Sequence, residues 1–155
     1  MKKFVFAAVL AACAAAHAEG VKLLTPVSYA AESAVVPKVR EACKLELRLA
    51  EDVGSQLSGT TDSTQGDVVR VSIVDVMGVG GGGWTGPKAV SIRVDLLKDG
   101  QVARSTHLTR TTTGGAFGGF MGTCSMLERD TKVLGKDVAS WVASGSDGGS
   151  KTDGK

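Results

Sequence analysis

The chain has 155 residues, 18 Lys and Arg against 16 Asp and Glu for a formal net charge of +2, and 43% hydrophobic residues. So even a balance, with no basic run, lacks the electrostatic footprint of a nucleic-acid binder, and the length supports one hydrophobic core rather than two. Two histidines and no asparagine leave little material for metal or hydrolytic chemistry.

Lys2 and Lys3, the apolar run Phe4 to Ala15, and the small-x-small triplet Ala16-His17-Ala18 before Glu19 read as a cleavable secretory signal over residues 1–18. The run is about a dozen residues, short of the roughly 20 a membrane-spanning helix needs, and no later stretch reaches that length. Cleavage between Ala18 and Glu19 removes Lys2 and Lys3 and leaves 16 basic and 16 acidic residues. Leu10-Ala11-Ala12-Cys13 also resembles a lipobox, so acylation at Cys13 is the alternative maturation. The first route predicts a periplasmic protein, the second an outer-membrane lipoprotein.

After cleavage, Cys43 and Cys124 remain as an even pair in an oxidising compartment, and a disulfide between them is expected. Residues 19–143 are expected to form a single α/β domain followed by a disordered tail over 144–155.

Val21 to Tyr29, with Pro26 inside it, predicts an edge strand or extended arm. Pro37 suits a first helical position. From there to Leu57, the residues Val39, Ala42, Cys43, Leu47, Leu49, Ala50, Val53 and Leu57 share one face of a helix. Glu46 falls inside that apolar arc and is expected to reach solvent at its edge, the other option being a buried carboxylate of raised pKa.

Ser58 to Gly66 reads as a loop, and Asp67 to Met77 as a strand alternating Val69, Val71 and Ile73 against Arg70 and Ser72. Ala89 to Leu97 alternates Val90, Ile92, Val94 and Leu96 against Ser91, Arg93 and Asp95. Lys98-Asp99-Gly100 marks a hairpin into a returning strand, Gln101 to Thr113. A two-residue turn would bury Ala103, Ser105 and His107 and oppose Asp95 to Arg104. A three-residue turn, favoured because it matches apolar residues, would bury Val102, Thr106 and Leu108. Thr123 to Ala143 closes the domain as a second amphipathic helix carrying Cys124, Leu127, Leu134, Val138, Trp141 and Val142 on one face.

The fold class expected is α+β: a two-layer sandwich of a mainly antiparallel sheet of three to four strands with two amphipathic helices on one face. That arrangement brings Cys43 and Cys124 within reach of each other.

Gly78 to Gly83 satisfies G-x-G-x-x-G but leads through Trp84, Gly86 and Pro87 into another strand. A dinucleotide site needs a helix there to hold the pyrophosphate, so the segment is a connection and no cofactor is expected. Gly114 to Phe120 precedes the last helix without Lys or Arg, and Phe117 and Phe120 are expected to cover the core. No catalytic residue and no metal ligand set is expected. His107, Trp84, Phe117 and Phe120 are the candidate contact residues.

The strand order behind an export signal, the V-D-L-L-K-D-G-Q-V hairpin at Val94 to Val102, the T-T-T-G-G run at Thr111 to Gly115 and the closing amphipathic helix resemble bacterial envelope proteins. The type is the α/β domain of TolB N-terminal and curli-secretion lipoproteins. The resemblance implies an envelope location and transfers no catalytic residue. The function expected is a non-enzymatic domain that contacts another envelope protein. The alternative is a small-ligand binder or hydrolase using the glycine-rich loops with Trp84 and His107.

Overall fold

In a computed structural model, which describes residues 20–78, 86–113 and 122–145, the chain forms a six-stranded mixed sheet and three helices. The elements are β1 (Lys22–Leu24), β2 (Ser28–Tyr29), α1 (Pro37–Cys43), α2 (Leu45–Gln56), β3 (Thr60–Thr61), β4 (Asp67–Met77), β5 (Lys88–Lys98), β6 (Gln101–Thr112) and α3 (Thr123–Ser144). The α+β class stands, with more strands and one more helix than expected.

The sheet order is β3-β1-β4-β5-β6, with β2 also pairing β4. The β4-β5-β6 meander is antiparallel, whereas β1 runs parallel to both β3 and β4, and β2 parallel to β4. The N-terminal run is thus no edge arm, because β1 has a neighbour on each side. Pro26 is tolerated since it stands in the link between β1 and β2, where no ladder N–H is required.

The single long helix expected from Pro37 to Leu57 is broken at Lys44, which takes a left-handed conformation with φ 46° and ψ 48°. The break resets the helical phase. Leu45, off the expected apolar arc, is fully buried, and Leu47, on it, is 63% exposed. Helix α2 instead packs Leu45, Leu49 and Val53 inward.

Helices α2 and α3 cover one face of the sheet. Leu127, Leu134, Val138 and Trp141 of α3 join those α2 residues with Val69, Val71, Ile73, Val90, Ile92, Val94 and Leu96 in one core. The two helices meet at Gly135, where a Cβ would lie 2.7 Å from the Asp52 carbonyl oxygen, so only glycine allows this approach.

Two irregularities set which strand residues face that core. In β4 the register shifts between Ile73 and Asp75, so Val76 rather than Asp75 points inward. In the hairpin, Asp99 (φ 48°) and Gly100 (φ 80°) form a two-residue turn with both central residues at positive φ, matching the type I′ pattern. This corrects the expected three-residue turn. Leu97 pairs with Val102 but Leu96 with Arg104, leaving Ala103 as a bulge that swaps the faces. Beyond it Thr106 is buried, Leu108 packs against the core, and Ser105 and His107 point away from the helices, while Val102 is exposed. Asp95 therefore opposes Ser105, not Arg104.

Cys43 and Cys124 form a disulfide with Cα atoms 5.1 Å apart, 81 positions apart in sequence. It joins the last residue of α1 to the first turn of α3.

Candidate functional site: the open face of the sheet

The face of β4, β5 and β6 away from the helices carries three polar rows: Arg70, Asp95 and Ser105; Ser72, Arg93 and His107; Asp75, Ser91 and Thr109. Strand alternation puts them there, since Val71, Ile73, Val90, Ile92 and Val94 between them are claimed by the core.

Asp95 is the centre of this face. Although it lies on the solvent side, it is only 3% exposed, and both its oxygens are saturated. Arg70 donates to Oδ2 through Nε at 3.2 Å and Nη2 at 2.7 Å, while Arg93 Nε at 3.1 Å and the Ser105 hydroxyl at 2.6 Å donate to Oδ1. Burial pushes its carboxyl upward, but the hydrogen bonds from Ser105, Arg70 and Arg93 and the Arg93 charge outweigh that and hold it below 3.8. The arginines stay about half exposed, Arg70 at 45% and Arg93 at 47%. In the next row, the Ser91 and Thr109 hydroxyls share a hydrogen bond of 2.9 Å.

The helix side carries a different polar cluster at the far end of β5 and β6. Arg110 clamps Asp137 with bonds of 2.6 and 2.8 Å, and the Thr112 hydroxyl donates to Asp130 Oδ1 at 2.7 Å. Lys88, paired across the ladder with Thr112, is fully buried on this side. Asp130 is 3% exposed and its Oδ2 has no partner. Burial raises its carboxyl above 3.8 despite the Thr112 bonds and the Arg110 charge. With under 1 Å² of accessible area, that oxygen faces no space for a ligand.

A third cluster joins β2, α1 and α2. Arg40 lies over the Tyr29 ring at 4.1 Å, and its Nη2 donates to the Ser33 carbonyl at 3.2 Å. The Tyr29 hydroxyl and Glu46 Oε2 are both buried, and Glu46 is near enough to act on the phenol. Burial and the Glu46 charge push the phenol up to about 12, against the pull of Arg40. Glu46 is part-buried at the edge of the helix contact, with Oε2 out of water.

The residues expected as contacts divide accordingly. His107 lies exposed on the open face opposite Arg93. Trp84, Phe117 and Phe120, and with them both glycine-rich connections, lie outside the described residues, as do the signal segment with Cys13, Ala18 and Glu19, and the tail after Gly145. Those connections join strand and helix ends at the Lys88–Thr112 end of the sheet, and His107 is five residues from Thr112, about 17 Å along the strand. Arg104, which the two-residue turn was expected to set opposite Asp95, lies over the Trp141 ring at 4.6 Å and donates to the Val142 carbonyl. Among the described residues no group of three or more His, Cys, Asp or Glu could hold a metal, and no helix is long and apolar enough to cross a membrane.

The Arg70, Arg93 and Asp95 constellation is absent from the contact residues expected above. Its signal is the polar half of each alternating strand, Arg70 and Ser72 beside Arg93 and Asp95. Only the β4–β5 register was lacking to bring them together.

No family model and no curated protein matches the chain. Among solved structures it is similar to a protein of Caulobacter crescentus CB15 described as a candidate lipoprotein, at 14% identity over 80% of this chain and 88% of that one, with a TM-score of 0.45. It is also similar to PelC of Paraburkholderia phytofirmans, a dodecamer, at 15% identity over 74% of this chain and 83% of that one, again with a TM-score of 0.45. No residue role passes from either protein to this chain.

Proposed function

We propose that the chain is an exported envelope protein whose mature part is a non-catalytic interaction domain, engaging another envelope protein through the open face of β4, β5 and β6. One observation carries this reading. A carboxylate is buried on the solvent side of a sheet and spent wholly on fixing two half-exposed arginines and a serine. Holding Asp95 out of water costs desolvation that an exposed polar side chain would avoid, and what results is an ordered array of donors facing outward. Export is supported by the signal-like N-terminus and by the Cys43–Cys124 disulfide, which suits an oxidising compartment. The likeness to TolB N-terminal and curli-secretion-type domains belongs to the same proposal, as do contacts by His107, Trp84, Phe117 and Phe120.

The test is site-specific photo-crosslinking in the host. A photo-reactive residue at position 107 is expected to give one discrete protein adduct, and one at Val133, exposed on α3, none. Equal or absent adducts at both positions would sink the proposal. Intact mass then reports maturation: a chain starting at Glu19 supports the periplasm, and an acylated chain starting at Cys13 the outer membrane.

A further inference from the structure

Of the two arginines on the open face, Arg93 has the more bonding capacity to spare. Its Nε is spent on Asp95 Oδ1 at 3.1 Å, while neither Nη group has a partner among the described residues. Arg70, in contrast, closes a two-pronged grip on Oδ2. A guanidinium pinned through Nε keeps its Nη1–Nη2 edge aimed in one direction, and that planar edge is the fork that takes a carboxylate through two parallel bonds. The neighbours of Arg93 across the ladder are His107 on β6 and Ser72 on β4, so a ring nitrogen and a hydroxyl share its row.

Charge narrows the ligand. Within their own two rows Arg70 and Arg93 against Asp95 leave one positive charge, which a singly charged group balances, while Asp75 in the next row brings the three rows together to neutrality. Asp75, in the adjacent row of the same face, opposes a doubly charged phosphate or a polyanion.

We propose that Arg93, His107 and Ser72 form a docking point for one carboxylate, presented by an acidic side chain of a partner protein. The point rests on the interaction reading above and supplies its chemistry. Asp95, Ser105 and Arg70 act as positioning residues that hold the fork.

The experiment is a nuclear magnetic resonance titration of the whole chain with sodium acetate replacing sodium chloride at constant ionic strength, reading the Arg93 Nε–H and the His107 ring. Saturating shifts confined to that row are expected, with half-saturation on the order of 0.1 M, as suits one exposed ion pair with two supporting donors. Arg93→Lys, which keeps the charge and loses the fork, should weaken acetate at least threefold, and His107→Ala about twofold. The proposal is overturned if acetate acts no differently from chloride, if inorganic phosphate binds more tightly at equal ionic strength, or if both variants titrate like the parent. Acetate needs no partner protein, so its failure beside a persisting position-107 adduct removes the carboxylate alone. Acetate binding without an adduct removes the interaction reading alone.

Discussion

Asp95 and Asp130 sit on opposite faces of one sheet, each 3% exposed, and their carboxyls move in opposite directions. Depth alone therefore does not set the outcome. Asp95 receives four hydrogen bonds, three of them from guanidinium groups, and these outweigh its desolvation. Asp130 has the Thr112 donors on one oxygen and nothing on the other, and the guanidinium that acts on it, Arg110, is hydrogen-bonded to Asp137. The open face is organised by charge, whereas the covered face is organised by packing and bears its buried charge as a cost.

The contrast breaks first on the covered side. Replacing Cys43 and Cys124 together by Ala frees α1 from α3 and removes a closure across 81 positions, for a loss of about 4 kcal/mol in chemical unfolding. The resonances of Arg70, Arg93 and Ser105 should stay in place in the double variant, because none of these residues touches the helix layer. If they collapse too, the two faces are not independent.

On the open side, Asp95→Asn keeps the shape but sets an amide against one pair of donors, and about 2 kcal/mol is expected to be lost at pH 7. Since the folded carboxyl titrates below 3.8, its contribution is complete above that value and disappears as pH falls through the folded pKa. The deficit of the variant should therefore shrink in acid, where a purely steric defect would persist.

A smaller loss, roughly 1–3 kcal/mol, is expected for Gly135→Ala, whose methyl would meet the Asp52 carbonyl at 2.7 Å and force α2 and α3 apart. Acetate binding at Arg93 should not change in it, which separates helix packing from the open face once more.

How far this was readable in advance depended on whether the signal was local. The alternation in β4 and β5, the presence of a hairpin at Lys98-Asp99-Gly100 and the spacing in α3 are each written in a few neighbouring residues, whereas the length of that turn is not, since three residues were expected and the structure has two. The cysteine pairing followed from two such elements, even though Cys43 ends α1 rather than standing near the start of a longer helix. What was missed depends on one backbone residue each. Left-handed Lys44 exchanges Leu45 for Leu47 in the core, the register shift before Asp75 puts Val76 inward, and the bulge at Ala103 turns Ser105 and His107 outward. Nothing in the identity of Lys44, Val74 or Ala103 announces this, because tertiary burial on either side selects the irregular backbone. The parallel pairings of β1, β2 and β3 involve two or three residues each, too few to give a period. The open-face cluster was missed for a different reason: Asp95 meets Arg70 only through the β4–β5 register, which neither strand states by itself.

The weakest expected effect is the sharpest test, because its sign is opposite. Asp130→Asn keeps an oxygen for the Thr112 hydroxyl and removes a charge whose burial outweighs the Thr112 bonds and the Arg110 attraction, so a gain of at most about 1 kcal/mol is expected at pH 7. The parent carboxyl titrates above 3.8 when folded, so its ionisation destabilises the native state, and the parent should recover stability as pH falls through the folded pKa toward 3.8. The two proteins should then converge below that value, with the gap opening on the neutral side. Asp95→Asn opens its gap on the neutral side too, but downward. If Asp130→Asn instead loses stability at pH 7, the Arg110 charge and the Thr112 bonds already compensate Asp130, and the two faces hold their carboxylates by the same means.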